Sequence, residues 1–218
     1  MAVIGAVLGD IAGSQFEFNR PENLDYKHCE LFTNRCSYTD DTIMTLAVKK
    51  AILENADFTK TMREIGQPYP YSGYGGRFYE WMYGENPKPY NSFGNGSAMR
   101  VSFVGEHFDA LEDVISMAEK SAEVTHNHPE GIKGAVVTAV CIWMARHGKT
   151  KEDIFQYVLE QYPAEKYEYS IAVPLDELEK IYQWNETCMG SVPAAMRCFY
   201  EKRLLRELPP QCIPLKMR

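Results

Sequence analysis

The chain has 218 residues, 30 acidic against 23 basic, for a formal charge of −7 and a pI near 5.3. That balance argues against nucleic acid or an anionic membrane as the main partner, since both are polyanions. A composition 45% hydrophobic and 24% charged is that of an ordinary soluble globular protein, and the length suits one domain with a large core.

Residues 1–9 are apolar but carry no basic residue, and Asp10 interrupts them, so they read as neither a signal peptide nor a membrane span. The cytoplasm is the compartment expected. Gly5, Gly9 and Gly13 recur every four positions, a spacing that lets another helix approach closely. Glu17 comes near the end of that helix between Phe16 and Phe18, where a carboxylate can be partly desolvated. The six cysteines form no C-x-x-C pair, which excludes a zinc ribbon and a thioredoxin-like motif, and Cys141 reads as a buried thiol.

Helical periodicity dominates the rest of the chain. Residues 42–54 place Ile43, Met44, Leu46, Ala47, Ala51 and Leu53 on one broad stripe, and a short helix is expected over 58–65. An amphipathic helix is expected over 109–122. Pro129 suits a helix start, and the segment Gly131–Met144, apolar on most sides and ending near Gly148, is expected to be the central buried helix. Thr150 and Asp153 open a further helix reaching Tyr162, with shorter ones expected over 175–184 and 192–206. Between 66 and 100 the chain is rich in Gly, Pro, Asn and aromatics, the composition of an irregular functional segment. Strand signals are weak and no repeat is present, so the fold class expected is a single all-α domain over 1–218.

Three stretches carry candidate chemistry. Thr39-Asp40-Asp41-Thr42 stands before the apolar run of the 42–54 helix. Thr39 or Asp40 suits a helix N-cap, and first-turn acids suit the macrodipole. Two adjacent carboxylates between hydroxyls also make a set of hard oxygen ligands for Mg²⁺. Ser92-Phe93-Gly94-Asn95-Gly96 precedes a small-residue helix start, and such glycines allow turns that point several backbone N–H groups at one anion. Phe93 is placed to stack on a base. The stretch is not a P-loop, because no Lys stands at the required place. His126 and His128 are spaced i, i+2, unlike the i, i+4 pair of a helical zinc site, so His126 reads as a hydrogen-bonding or proton-handling group.

In order and spacing these stretches resemble the ADP-ribosylglycohydrolases, the group that includes dinitrogenase-reductase-activating glycohydrolase and the ADP-ribosyl-acceptor hydrolases. The matching segments are Gly5–Asp10 through Glu17, Thr39–Thr42, Gly75-Gly76-Arg77, Ser92–Arg100 and Thr125-His126. The resemblance implies an orthogonal helical bundle that hydrolyses the glycosidic bond between ADP-ribose and an acceptor, either a modified protein or a small molecule. It implies a binuclear Mg²⁺ site with Thr39, Asp40 and Asp41 as ligands, and Asp40 or Asp41 as the base. Glu17 would be a mobile acid at the ribose. Ser92, Phe93, Gly94, Asn95 and Gly96 would hold the diphosphate and adenine, and His126 would bind near the phosphate and distal ribose.

The resemblance also implies a Gly-Gly-Asp-x-Asp-Thr type motif near the C-terminus, and this chain has none. Ser191–Phe199 resembles the segment leading to it, but Glu201 and Glu207 are the only acids after Glu186. The expectation is therefore a domain incomplete from about residue 200, holding one Mg²⁺ or none rather than two ions about 3.5–4 Å apart. A catalytically impaired ADP-ribose-binding protein is the alternative. The uncovered face of the central helix would then need a homo-oligomer or a rearranged tail over it.

Overall fold

The apolar segment after His128 forms the long helix around which the others are arranged. The structure, a computed structural model, describes residues 1–18 and 29–201. Among these the regular elements are helices: α1 (Ala2–Ser14), α2 (Asp40–Leu53), α3 (Phe58–Gly66), α4 (Gly76–Tyr83), α5 (Gly96–Met99), α6 (Ser102–His107), α7 (Leu111–Glu123), α8 (Pro129–Arg146), α9 (Lys151–Gln161), α10 (Leu175–Ile181) and α11 (Cys188–Tyr200). The one pairing of extended backbone among the described residues is an isolated antiparallel bridge between Gly94 and Thr187. The all-α expectation holds. None of the described helices is long and apolar enough to cross a membrane.

Local chemistry sets the ends of α8. His128 Nδ1 accepts from Glu130 N at 3.1 Å, and Pro129 occupies the first turn, where its missing N–H leaves no hydrogen bond unmade. Beyond Arg146 the chain reverses through Gly148 at φ 73°, a left-handed conformation suited to glycine. Because α8 is apolar on most sides, it divides the core. Ala135, Ala139 and Val140 pack with α2 (Met44, Val48), α4 (Trp81, Met82) and α7 (Val114, Ala118). Val137 and Cys141 face the other way, onto Ile154 and Val158 of α9 and Val192 and Met196 of α11. Each fully buried valine or methionine contributes about 1.5–3 kcal/mol. α6 crosses α8 so closely that a Cβ on Gly105 would lie 2.4 Å from the Ala139 carbonyl oxygen, so any side chain at 105 would push the helices apart.

Some expectations need correction. The segment 66–100 is not irregular throughout, because Phe78, Trp81 and Met82 of α4 turn a helical face into the core. Gly5 faces open space rather than a neighbouring helix. The helix expected over 175–184 ends at Ile181, and 182–187 runs on without helical structure. The last helix begins at Cys188, not 192, because Thr187 Oγ1 caps it by accepting from Gly190 N at 3.1 Å. The expected residues 202–206 of that helix lie outside the described residues.

Candidate functional site

The site is built on the N-terminus of α2. Thr39 is the N-cap and its hydroxyl accepts from Asp41 N at 3.4 Å, so of the two capping candidates the structure chooses Thr39 over Asp40. Most of the helix start is held by Asp10 of α1. Its Oδ2 accepts from Thr39 N (2.8 Å), Thr42 N (3.2 Å) and Thr42 Oγ1 (2.6 Å), and its Oδ1 accepts from Thr39 Oγ1 (2.7 Å). Two of the backbone groups that a helix N-terminus leaves unbonded are thus satisfied by a residue 29 to 32 positions away. Thr39 Oγ1 also lies 3.0 Å from Asp41 Oδ2, so a single hydroxyl proton is within reach of two carboxylates. Asp10, Asp40 and Asp41 are all buried. The loop before α4 closes over Asp40: Ser72 O accepts from Asp40 N at 2.7 Å, and Gly73 adopts φ 90°, with its Cβ position 3.5 Å from Asp40 Oδ1.

The glycine loop forms the facing wall. Phe93 O accepts from Cys188 N at 2.9 Å and Glu186 O accepts from Asn95 N at 2.7 Å, which fixes the loop to the extended segment 182–187. Ser92 Oγ accepts from Gly94 N at 3.1 Å. The loop presses on the start of α8, where a Cβ on Gly131 would meet the Ser92 carbonyl oxygen at 2.5 Å, so glycine is required for that approach.

His126 stands beneath this loop, 4% exposed, with Nε2 3.0 Å from the Cβ position of Gly96 and Nδ1 2.7 Å from Thr125 Oγ1. Burial holds its pKa well below the usual histidine value, and the charges of Arg100 and Arg77 push it the same way. Arg100 is fully buried. Its Nη2 donates to Ser121 O at 2.6 Å and to Thr125 Oγ1 at 3.0 Å. Burial lowers its pKa to about 10, so it remains a cation at neutral pH. The neighbouring Tyr90 is pushed up to about 12 by burial and stays a neutral phenol. Arg77 lies over the Tyr90 ring, 4.8 Å from its centroid.

These groups line one cleft of about 270 Å³. Of the residues expected from the sequence, it brings together Glu17, Asp40, Ser92, Gly94, Asn95, Gly96 and His126. Thr39 and Asp41 lie behind Asp40 and are not in the wall. Phe93 is not in the wall either: its ring is 45% exposed and sits edge-on to His128, centroids 5.3 Å apart. Sequence reasoning gave no role to Asp10, Arg77 or Arg100, and missed Tyr90, Trp184, Asn185 and Glu186 as cleft residues. A signal for Arg100 was available, since it is a lone cation within the apolar run Ala98-Met99-Arg100-Val101.

The sequence model of the ADP-ribosylglycohydrolase family matches residues 1–208. The chain belongs to this family. An ADP-ribosylhydrolase ARH3 of Mus musculus is 30% identical over 183 residues, covering 69% of this chain and 50% of that protein. The Homo sapiens ARH3 is 29% identical over 183 residues, with the same coverage. A putative ADP-ribosyl glycohydrolase of Acanthamoeba polyphaga mimivirus is 23% identical over 236 residues, covering 85% of this chain and 67% of that protein. Among solved structures, a chain of an ADP-ribosylglycohydrolase-related protein complex superimposes with a TM-score of 0.66 at 21% identity, over 99% of this chain and 79% of that one, which establishes a common fold. The chain spans about half the length of the ARH3 relatives it matches.

Proposed function

We propose that the chain binds ADP-ribose in this cleft and serves as a Mg²⁺-dependent hydrolase of the glycosidic bond between ADP-ribose and an acceptor, either an ADP-ribosylated protein or a small molecule. The observation that carries the reading is that one cleft holds both kinds of group such a substrate needs. Arg77, Arg100 and the Ser92–Gly96 loop suit a diphosphate, and Glu17 and Asp40 suit a developing positive charge at the ribose.

The donor set fits one ion. Thr39, Asp40 and Asp41 offer hard oxygens, and a hydrated Mg²⁺ needs only one or two carboxylates. Asp10 and Asp41 sharing one hydroxyl proton concentrates negative charge that a cation would offset. When bound, Mg²⁺ would supply Lewis acidity at the ribose hydroxyls and at attacking water. The chain's own residues do the rest. Asp40, the one of the two acids in the cleft wall, takes the proton from water, Glu17 contacts the ribose from the bend that follows α1, and His126 donates Nε2–H to a ligand oxygen. The Gly94 to Gly96 backbone lines the diphosphate.

The test is release of ADP-ribose from an ADP-ribosylated protein across a Mg²⁺ titration. Mg²⁺-stimulated turnover that Asp40→Asn abolishes is expected, and absence of turnover at every Mg²⁺ concentration would refute the hydrolase. The anion-suited half of the cleft, with Arg77, Arg100 and the Gly94 to Gly96 backbone, supports by itself a second reading, a binding protein with impaired catalysis. Calorimetry showing ADP-ribose bound without turnover would select it.

A further inference from the structure

We infer that Arg100 and Thr125 are positioning residues that fix His126 as the Nε2–H tautomer, so that the cleft presents a neutral donor to its ligand at this point. Counting donors and acceptors leads there. An arginine guanidinium can only donate, and its Nη2 lies 3.0 Å from Thr125 Oγ1, so that hydroxyl oxygen is the acceptor. The hydroxyl's own proton has no acceptor among the described residues other than His126 Nδ1 at 2.7 Å, and if Nδ1 donated instead, that proton would be left buried and unbonded. A ring nitrogen that accepts carries no proton, and in neutral imidazole the proton then sits on Nε2.

The orientation has a use. Nε2 points under the glycine loop, 3.0 Å from the Cβ position of Gly96 and 3.5 Å from that of Gly94, and both glycines line the cleft. The relay is rigid because each member is buried: Arg100 and Thr125 are fully inaccessible and His126 is 4% exposed. Arg100 is itself held by Ser121 O at 2.6 Å, while its Nη1 and Nε make no hydrogen bond among the described residues. The cation also disfavours a second proton on the imidazole. What binds over Gly94–Gly96 must therefore offer an acceptor oxygen to Nε2. His126 is a hydrogen-bond donor here rather than a proton shuttle.

The test is nitrogen NMR of the uniformly ¹⁵N-labelled full chain, assigning the His126 Nδ1 and Nε2 resonances. Wild type should show the proton on Nε2 alone. Thr125→Val removes the hydroxyl at nearly constant shape and should populate the Nδ1–H form, while Thr125→Ser should restore Nε2–H. The affinity arm rests on the proposed ADP-ribose ligand. ADP-ribose binding should weaken by about threefold to tenfold in Thr125→Val and recover in Thr125→Ser. A wild-type His126 protonated on Nδ1, or a folded Thr125→Val whose tautomer is unchanged, would overturn the relay. If Thr125→Val does not fold, the wild-type spectrum still decides. If ADP-ribose does not bind wild type, the ligand reading fails while the tautomer result stands by itself.

Discussion

Asp10→Ala is the sharpest perturbation of the scaffold. Asp10 is fully buried and accepts four hydrogen bonds, two from the backbone N–H groups of Thr39 and Thr42 and two from their hydroxyls. Without the carboxylate, the hydroxyls rotate to other acceptors, and Thr39 Oγ1 already has Asp41 Oδ2 at 3.0 Å. The two N–H groups cannot rotate, and each unsatisfied buried donor costs about 1–3 kcal/mol. Removing a buried carboxylate returns part of its desolvation cost, so a net loss of about 2–4 kcal/mol is expected, a large share of a typical ~5–15 kcal/mol. Asp10→Asn keeps one acceptor oxygen for both N–H groups and is expected to lose about 1 kcal/mol. Urea unfolding of the three proteins, with m-values compared to confirm a shared mechanism, gives these differences directly. Amide exchange should show the loss concentrated in the first turn of α2. Asp10→Ala within about 0.5 kcal/mol of wild type would mean that water replaces the carboxylate, and that Asp10 does not clamp the helix start.

Three further outcomes are expected from the same geometry. Gly131→Ala places a Cβ 2.5 Å from Ser92 O, which should cost about 1–3 kcal/mol by overpacking and weaken ADP-ribose binding through the displaced loop, as unfolding and calorimetry would show. His126 is held neutral in the fold by burial and nearby arginines, whereas the unfolded chain takes up its proton as pH falls through about 6.5. Folding stability should therefore rise with pH below about 6.5 with a contribution of about 1.4 kcal/mol per pH unit, levelling at higher pH, and His126→Gln should remove that component from pH-resolved unfolding curves. Trp184 is 55% exposed in the cleft wall while Trp81 is buried in the core, so ADP-ribose should change tryptophan emission in wild type but not in Trp184→Phe.

Much of the fold could be read from the sequence because its central helix is defined by local chemistry. Pro129 and Gly148 mark the ends of α8, and the segment Gly131–Met144 between them is apolar on most sides, so burial can be inferred without knowledge of its neighbours. α4 was hidden for the opposite reason. Phe78, Trp81 and Met82 have the i, i+3, i+4 spacing of a buried face, but the helix is short and lies amid glycines and prolines. The end of α10 and the extended course of 182–187 have no local signal. The extended segment is held by hydrogen bonds from Cys188 N to Phe93 O and from Asn95 N to Glu186 O, between segments far apart in the chain.

The stretch from Thr39 to Thr42 shows where reading a sequence locally stops. On its own it fits both a helix cap and a set of metal ligands. The structure assigns capping to Thr39 and to Asp10, which no pattern around residue 40 could reveal because Asp10 reaches the helix only through the packing of α1 on α2. Once that role is filled, two buried carboxylates remain in the first turn. The macrodipole contributes typically about 0.3–1 kcal/mol for an acid there, less than the several kcal/mol that desolvating a carboxylate costs. The helix start alone does not explain Asp40 and Asp41. The cleft accounts for Asp40, which stands in its wall with a loop and a buried arginine suited to anions, while Asp41 lies outside that wall and holds the Thr39 hydroxyl.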